Sequence, residues 1–350
     1  MLQQDHEGIT LDRAIERSIH LGKESGGHTP GRVLVTGGAG FIGRRLVRAL
    51  LAAGHEVTVA DLRRFPADGD SARAAVRNVT GDLCDPEIAA RALTDDTVAI
   101  FHLAAVTSVL RSVDDPVHTH MVNVDVTARL LELAREHSVE AFVLASTNAV
   151  TGNVGQAVIT EQAPLRPLTP YGATKAAGEM LVNAYANCYG IKGCALRFSN
   201  VYGPGMAEKD SFIPRLMRAA RDAEGVQVRG DGSMLRDVVH VDDVVAGILL
   251  GWRAGHTGPL IVAGGKSVTV LDMVQAARRV TGAPIPVSHV PVGPGEMPAV
   301  VVDISAARAL GYQPTMGLEA GLSTVWPEFD PARAPLPVAP TSTTAPETEL

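Results

Sequence analysis

Short apolar runs alternate with longer amphipathic segments through the first two thirds of the chain. Five of these runs predict buried strands, at residues 33–35, 56–60, 98–103, 141–145 and 193–198. Between them apolar residues recur at helical spacing, most clearly over residues 117–137 and in the segment that begins at Tyr171. Buried strands that alternate with helices predict an α/β fold, doubly wound, with a parallel sheet covered on both faces.

The pattern divides the chain into four parts. Residues 1–30 predict an N-terminal appendage, which glycine and proline pairs at its end separate from the rest. Residues 31–200 carry the alternating pattern, whereas residues 201–330 contain shorter elements that suit a smaller C-terminal α/β substrate-binding region. Residues 331–350 are rich in Pro, Thr and Ala, which predicts a disordered tail.

Composition narrows the possible partners. The 350-residue chain is 46% apolar and 20% charged, as is ordinary for a soluble globular protein. Its net charge of -7 argues against nucleic-acid binding, and no apolar stretch is long enough to predict a membrane span. The three cysteines form no Cys-x-x-Cys motif, so we expect a reducing, cytoplasmic environment with neither a metal site nor a disulfide framework.

A glycine-rich turn follows the first predicted strand. Gly37, Gly40 and Gly43 have the spacing Gly-x-x-Gly-x-x-Gly and lead into a helix. Small residues at these positions allow a tight turn and bring a pyrophosphate close to backbone N–H groups at the helix N terminus. We interpret this turn as a dinucleotide site of the Rossmann type.

Asp61 ends the second predicted strand, 18 residues after Gly43. A carboxylate at this place accepts hydrogen bonds from the adenosine ribose hydroxyls and repels a 2′-phosphate. We therefore expect NAD as the cofactor. The neighbouring Arg63 and Arg64 leave NADP open as the alternative, because a nearby arginine can accommodate the phosphate.

Tyr171 and Lys175 form the most informative pair of polar residues. They are four residues apart on a predicted helix and therefore share one face, so the ammonium group can favour the ionised phenol. Lowering a tyrosine pKa from about 10 to about 7 needs roughly 4 kcal/mol. A lysine and a cationic nicotinamide ring could supply that in a poorly solvated cleft.

Further motifs follow the glycine turn in a fixed order. They are Gly81-Asp82-Leu83, His102-Leu103-Ala104-Ala105, Asn123, Ser146-Thr147, Tyr171-x-x-x-Lys175, Arg197-Phe198-Ser199-Asn200-Val201-Tyr202-Gly203-Pro204 and Arg236-Asp237-Val238-Val239-His240-Val241-Asp242-Asp243. Each is weak by itself. Together, over residues 32–326, they resemble the extended short-chain dehydrogenase/reductases of the nucleotide-sugar epimerase/dehydratase family.

The resemblance implies three catalytic roles. Tyr171 would be the general base that removes a sugar hydroxyl proton while hydride moves to NAD. Lys175 would tune Tyr171 and bind the nicotinamide ribose. Thr147 would bridge the sugar hydroxyl and Tyr171, and termination of a strand is its alternative role.

The resemblance also implies the contacts of the cofactor. Asp82 would meet the adenine, and the alternative for it is to cap a helix that begins near Pro86. The implied cofactor residues are Gly37, Gly40, Phe41, Ile42, Gly43, Asp61, Asp82, Leu83, Leu103, Ala104, Ala105, Asn123, Tyr171 and Lys175.

The implied substrate residues lie mostly later in the chain. Asn200 would hold the sugar diphosphate, Arg236 would pair with its pyrophosphate and Glu296 would bind the nucleotide ribose. At position 300, valine replaces a tyrosine that is frequent in family members restricted to simple hexoses, which leaves space for an N-acetyl group or a C6 carboxylate. The implied substrate set is Ser108, Arg111, Thr147, Asn200, Arg236, Glu296 and Val300.

Several of these residues have simpler interpretations. Arg111 could lie on the surface, and His102 and His240 could be satisfied core histidines. Asp242 and Asp243 could cap a helix that begins at the next residue, Val244.

One family feature is missing. Epimerases of the family often carry a second arginine that binds the pyrophosphate. This chain has no arginine at the corresponding place near Gly293, and Arg215 or Arg218 could replace it.

The helices that begin near Val117 and Tyr171 resemble the pair that forms a dimer bundle in this family, which implies a homodimer. Their apolar faces could instead belong to the core.

The residues after Thr147 narrow the reaction. Family dehydratases usually continue with Asp-Glu and decarboxylases with Ser-Glu, whereas this chain has Asn148-Ala149. Reversible hydride transfer remains, which predicts a nucleotide-sugar 4-epimerase acting through a 4-keto intermediate, and the resemblance implies UDP as the nucleotide. The alternatives are dehydration or decarboxylation on the same scaffold, net dehydrogenation, and an NAD-sensing binder without catalysis, which would typically lack Tyr-x-x-x-Lys.

Overall fold

The computed structural model describes residues 30–66, 76–292, 299–330 and 332. Its strands are β1 (Arg32–Thr36), β2 (Glu56–Asp61), β3 (Val76–Thr80), β4 (Thr97–His102), β5 (Ala141–Thr147), β6 (Val158–Ile159), β7 (Lys192–Phe198), β8 (Asn200–Tyr202), β9 (Val226–Arg229), β10 (Leu235–His240), β11 (Gly258–Val262), β12 (Ser267–Thr269), β13 (Val287–Val290) and β14 (Val301–Val302). Seven of them form the main sheet, in the order β3-β2-β1-β4-β5-β7-β11, with every neighbouring pair parallel.

The helices of the described residues cover both faces of this sheet and the C-terminal region. They are α1 (Phe41–Ala52), α2 (Pro86–Ala92), α3 (Val109–Asp114), α4 (Pro116–His120), α5 (Val126–Glu136), α6 (Pro170–Tyr189), α7 (Phe212–Asp222), α8 (Val241–Arg253), α9 (Val270–Thr281), α10 (Ser305–Ala309) and α11 (Leu318–Val325). A π-helical turn at Met121–Asp125 joins α4 to α5, so the helix predicted over residues 117–137 consists of three consecutive segments.

The side chains of β1 point alternately to the two faces of the sheet, so this strand contributes to both hydrophobic layers. Val33 and Val35 pack into a cluster that includes residues of α1 and α8, whereas Leu34 packs into a cluster that includes residues of α5 and α6. Side chains at successive strand positions point to opposite faces, so a central strand needs apolar residues at every position. The predicted doubly wound, Rossmann-type fold is therefore confirmed.

The order of the strands reverses between β1 and β4. β2 and β3 extend the sheet from one side of β1, and β4, β5, β7 and β11 extend it from the other. The connections that leave the carboxyl ends of β1 and β4 diverge at this point and leave a crevice, which is where open α/β sheets bind ligands.

Smaller sheets and a third hydrophobic cluster form the C-terminal region. β10 pairs in parallel with β8 and antiparallel with β12, and β9 pairs in parallel with β13. α7, α9 and α11 contribute most of the buried residues of the third cluster. The division between residues 31–200 and 201–330 remains our proposal, with the qualification that β11 forms an edge of the main sheet.

Two histidines have the core roles that we considered for them. His102 contacts the Thr36 hydroxyl at 2.7 Å and the Thr127 hydroxyl at 3.0 Å, and burial lowers its pKa to about 3. His240 contacts the Thr324 hydroxyl at 3.0 Å, and burial lowers its pKa to about 4. Both rings are therefore neutral at pH 7.

The expected caps of the helix near Val244 were wrong. The helix begins at Val241, and the ring of His240 accepts a hydrogen bond from the amide of Asp242. Asp243 instead contacts a distant segment, because its carboxylate accepts hydrogen bonds from the backbone amides of residues 315 and 316, at 2.9 and 3.1 Å. This carboxylate therefore fastens the segment before α11 to α8.

Some expectations fall outside the described residues. Residues 1–29, most of the predicted tail and Glu296 are among these.

Within the described ranges, no helix has the length and apolar character to span a membrane. The same ranges contain no group of three His, Cys, Asp or Glu side chains placed to hold a metal ion.

Candidate active site

A cavity of about 950 Å³ opens at the carboxyl ends of the main sheet. Its walls contain the residues that follow β1, β3 and β4 and the last residues of β2, β5 and β7. The C-terminal region closes the other side with residues of β9, β10 and α7. The cavity therefore spans the crevice at the reversal of strand order and the region expected to hold substrate.

The glycine turn has the shape that a dinucleotide needs. Gly37 has φ of +69°, and a Cβ atom on it would lie 2.7 Å from the amide nitrogen of Ala104. A Cβ atom on Gly43 would collide with the carbonyl oxygen of Gly37. Side chains are thus excluded from a turn whose backbone amides precede α1, and Gly40, Phe41 and Ile42 also line the cavity. The turn fits the pyrophosphate of NAD.

Asp61 stands beside this turn at the end of β2. Its carboxylate accepts hydrogen bonds from the amides of Ala39 and Arg63, both at 3.0 Å. These bonds hold the carboxylate at the cavity wall, where the ribose of adenosine would lie. This geometry fits the expected preference for NAD.

Asp82 and Leu83 line the same end of the cavity. The side chain of Asp82 accepts a hydrogen bond from the amide of Cys84 at 2.9 Å. The N-cap of α2 is Asp85, which accepts a bond from the amide of Glu87 at 2.9 Å. The capping role considered for Asp82 therefore belongs to Asp85.

Asn123 supports the cavity wall without lining it. Its amide group pairs with both backbone groups of Val106, at 2.8 and 3.1 Å, and donates to the Thr174 hydroxyl at 3.0 Å. It thereby fixes the segment that begins with Leu103, Ala104 and Ala105, which do line the cavity. We propose that Asn123 contributes to cofactor binding through this segment.

Thr147, Tyr171 and Lys175 all line the cavity. Thr147 ends β5, and Tyr171 and Lys175 lie in the first turns of α6, which begins with Pro170 and is capped by Thr169. The Thr147 hydroxyl is close enough to the Tyr171 phenol to influence its pKa. The fold thus brings together, from two elements, the three residues that the sequence motifs indicated.

Burial dominates the electrostatics of this group. It raises the pKa of Tyr171, and the neighbouring Thr147 side chain opposes that shift. It lowers the pKa of Lys175 to about 8, against the opposing attraction of Glu179. The ammonium group of Lys175 donates to the carbonyl oxygen of Ala145 at 2.9 Å. Ionisation of Tyr171 therefore needs further positive charge, which the cationic nicotinamide ring of NAD would carry.

The far end of the cavity is basic. Arg236 lines it and donates to the carbonyl oxygen of Leu235 at 2.8 Å, while Asn200 lines it and donates to the carbonyl oxygen of Asp237 at 2.9 Å. Lys209, Arg215 and Arg229 line it as well.

The sequence had indicated Arg215 and Arg218 as equal candidates for the second pyrophosphate arginine. It had given no sign that Lys209 and Arg229 would line the cavity. Arg218 donates to the carbonyl oxygens of Ala207 and Lys209, at 3.0 and 2.9 Å. Of this pair, Arg215 is the one on the cavity wall. Lys209 and Arg229 lie in stretches with no motif, so only the folding of the C-terminal region could identify them.

Three expected substrate residues lie off the described cavity wall. Ser108 caps α3 by accepting a bond from the amide of Arg111 at 3.3 Å, and Arg111 is exposed. Val300 is 5% exposed and belongs to the core, where its amide donates to the carbonyl oxygen of Leu235 at 2.9 Å. Its proposed effect on sugar size remains a prediction.

A buried charged cluster behind the site was not foreseen. Arg197 on β7 binds Glu179 on α6 through its Nε and Nη2 atoms, with distances of 2.8–3.2 Å. The Ser146 hydroxyl donates to the same carboxylate. Glu179 is four residues after Lys175 in the sequence, and this spacing is the signal that could have identified it.

Comparison with known proteins agrees with this geometry. The NAD dependent epimerase/dehydratase family matches residues 33–264. A UDP-glucose 4-epimerase of Mycolicibacterium smegmatis is 36% identical over 310 residues, which cover 83% of this chain and 96% of that protein. A dTDP-glucose 4,6-dehydratase of Streptomyces niveus is 35% identical over 311 residues, with coverage of 83% and 90%.

A solved structure gives the same assignment. MoeE5 in complex with UDP-glucuronic acid and NAD is 36% identical and superposes with a TM-score of 0.77, covering 85% of this chain and 98% of that one. Its likeness extends through both the main sheet and the C-terminal region. The glycine turn, the Thr147–Tyr171–Lys175 group and these matches together show that the chain belongs to the NAD-dependent epimerase/dehydratase family.

Proposed function

We propose that this protein is an NAD-dependent 4-epimerase that inverts C4 of a UDP-hexose through a transient 4-keto intermediate. The observation that carries the proposal is that Thr147, Tyr171 and Lys175 line one cavity together with a dinucleotide-binding turn and with basic residues of the C-terminal region. NAD, when bound, accepts and returns the hydride.

The residues of the chain provide the acid–base chemistry. Thr147 and Tyr171 hold the C4 hydroxyl between them, and the ionised Tyr171 takes its proton as C4 becomes a carbonyl. Tyr171 returns the proton to the C4 oxygen when hydride reaches the other face of the sugar. Lys175 binds the nicotinamide ribose and contributes positive charge beside the phenolate. No proton or electron is lost over the cycle.

The carboxylates of the cavity favour epimerisation over dehydration. Elimination of water needs an acid and a base beside the sugar, in addition to Tyr171. Among the described residues that line the cavity, the carboxylates are Asp61 and Asp82, both at the adenosine end. Position 149, where family dehydratases usually have glutamate, is alanine. Dehydration remains the second candidate because of the 35% identity with the dTDP-glucose 4,6-dehydratase.

We infer the nucleotide and the sugar from chemistry and from the relatives. A UDP-linked substrate is supported by the M. smegmatis epimerase and by the UDP-glucuronic acid bound to MoeE5. The basic far end, with Arg215 and Arg236, suits a diphosphate. UDP-glucose, UDP-glucuronate and UDP-N-acetylglucosamine are the candidate substrates.

We also propose a cytoplasmic homodimer. The cysteines Cys84, Cys188 and Cys194 are all free, as suits a reducing compartment. Large apolar side chains are exposed on the adjacent helices α3 and α6, with Leu110 75% and Met180 58% exposed. Large apolar side chains exposed on adjacent helices suit a protein–protein contact.

The reaction is tested by incubating the purified enzyme with each candidate UDP-sugar and following the sugar by NMR. We expect the C4 epimer of at least one substrate, without net accumulation of NADH at 340 nm. A 4-keto-6-deoxy product would establish dehydration instead. Steady formation of NADH would indicate a dehydrogenase, and absence of any product together with tight NAD binding would favour the non-catalytic alternative.

Replacement of the base separates chemistry from binding. Tyr171→Phe should lower turnover by at least about a hundredfold, the usual scale for a lost general base, and should leave NAD affinity nearly unchanged. Turnover and NAD affinity are measured on the same preparation, by NMR and by calorimetry. Turnover close to that of the wild type would remove Tyr171 from the mechanism.

Substitution of Arg215 tests the basic far end. Arg215→Ala should raise the KM for the UDP-sugar by about tenfold, the scale of one charge-assisted hydrogen bond, with a smaller effect on kcat. Arg221→Ala is the matched control, because Arg221 is on the same helix and pairs with Asp222 at 2.7 Å. Equal KM values for the two variants would contradict a role for Arg215 in substrate binding.

A charge on the apolar helix face should disrupt the dimer. Met180→Glu is expected to convert a wild-type dimer to monomer in analytical ultracentrifugation, because burying an unpaired carboxylate is costly. Leu62→Glu serves as the control, since Leu62 is 71% exposed and follows β2 rather than lying on these helices. A wild-type monomer, or a Met180→Glu dimer of unchanged stability, would show that this face has another role.

A further inference from the structure

The buried cluster of Glu179, Arg197 and Ser146 lies directly behind the catalytic group. Glu179 and Arg197 are 7% and 3% exposed, so their charges are removed from solvent. Arg197 uses its remaining Nη1 atom to donate to the carbonyl oxygen of Glu161 at 3.0 Å. The cluster therefore connects α6, β5, β7 and the segment after β6.

Two members of the cluster, Ser146 and Glu179, are close in the chain to residues of the catalytic group. Ser146 precedes Thr147 on β5, and its hydroxyl donates to the Glu179 carboxylate. Lys175 is one helical turn before Glu179 on α6, with its ammonium bonded to the carbonyl oxygen of Ala145 on β5. The carboxylate thus stands behind both the Thr147 end of β5 and the Lys175 side chain.

Charge balance makes this arrangement more than a structural pair. Lys175 is 4% exposed, and a buried ammonium without a nearby negative charge tends to lose its proton. A buried ion pair by itself often adds little stability compared with apolar residues of similar size. The two contacts of Glu179, with Arg197 and Ser146, and its attraction for the Lys175 ammonium are therefore better explained by the site than by stability.

On the basis of the proposed function, we infer that Glu179 is a positioning residue: it holds the end of β5 through Ser146 and supplies the buried negative charge that keeps Lys175 cationic beside Tyr171. Arg197 orients the Glu179 carboxylate and prevents it from bonding Lys175 directly. Lys175 then remains available to the nicotinamide ribose and to Tyr171.

The surroundings of Lys175 support this assignment. Burial lowers its pKa to about 8, and the attraction of Glu179 acts in the opposite direction. The elements packed around it carry these other titratable groups: Tyr171, Glu179, Tyr185, Cys188 and Tyr189 on α6, His102 on β4, and Lys192, Cys194 and Arg197 on β7. The neighbouring helices add groups that are exposed or half-buried: Arg111, Asp114, Asp115, His118, His120, Asp125, Arg129, Glu132, Arg135 and Glu136. Glu179 is therefore the buried anion in this set.

Direct titration of Lys175 tests the inference without any requirement for activity. Protein with 13C-labelled lysine is titrated by NMR, and the Lys175 signal is assigned by its loss in Lys175→Met. In Glu179→Gln the midpoint should fall by at least about one pH unit, because the opposing charge is removed. In Glu140→Gln, which removes a surface carboxylate paired with Lys192, the midpoint should not move.

A double variant guards against loss of the fold. Glu179→Gln leaves the buried Arg197 without its carboxylate, whereas Glu179→Leu with Arg197→Met removes both charges. We expect the double variant to fold and to show a Lys175 midpoint between those of Glu179→Gln and the wild type. A wild-type midpoint in the double variant would overturn the inference and leave Glu179 with a purely structural role.

The pH dependence of kcat/KM gives a second measurement. If Lys175 must be charged, the alkaline limb should move to lower pH in Glu179→Gln, so that the loss of activity is several-fold greater at pH 8 than at pH 6.5. A loss that is equal at all pH values would contradict the inference. Lack of epimerase activity in the wild type would instead refute the proposed function, while the NMR midpoints would still decide the role of Glu179.

Discussion

Parallel pairing of β1 with β4 is the constraint on which the site depends. Parallel strands present their carboxyl ends at one edge of a sheet, and the reversal of strand order beside β1 separates the connections that follow them. The glycine turn, Asp61, the segment from Leu103 and the Thr147 end of β5 reach one cavity for this reason. Residues more than a hundred positions apart are thus placed together by the backbone alone.

The catalytic group combines this backbone constraint with a problem of buried charge. Tyr171 and Lys175 are held in a poorly solvated region, where both charged forms are disfavoured. Oriented partners compensate for this: the Thr147 hydroxyl for Tyr171, and the Ala145 carbonyl and Glu179 carboxylate for Lys175. The positive charge of a nicotinamide ring would favour the ionised form of Tyr171 strongly in such a site, because the interaction between charges is strong where water is excluded.

The C-terminal region adds the basic side chains at the far end of the cavity. Its small sheets and the α7–α9–α11 cluster bring Arg215, Arg229 and Arg236 to that end. Asp243 fastens the segment before α11 to α8, and α8 packs in the same hydrophobic cluster as strands of the main sheet. The positive charges that suit a diphosphate therefore come from three separate stretches of the chain.

The sequence by itself determined the alternation of strands and helices, the glycine turn and the Tyr171–Lys175 spacing, because these depend on local periodicity and on short-range geometry. It also placed glycine at positions 37 and 43, where the turn has no room for a side chain. Only the tertiary structure decided that Asp85 rather than Asp82 caps α2, that Arg215 rather than Arg218 lines the cavity, and that Glu179 binds Arg197. Those choices depend on which side chains converge from distant segments, and a single sequence does not encode such convergence in any local pattern.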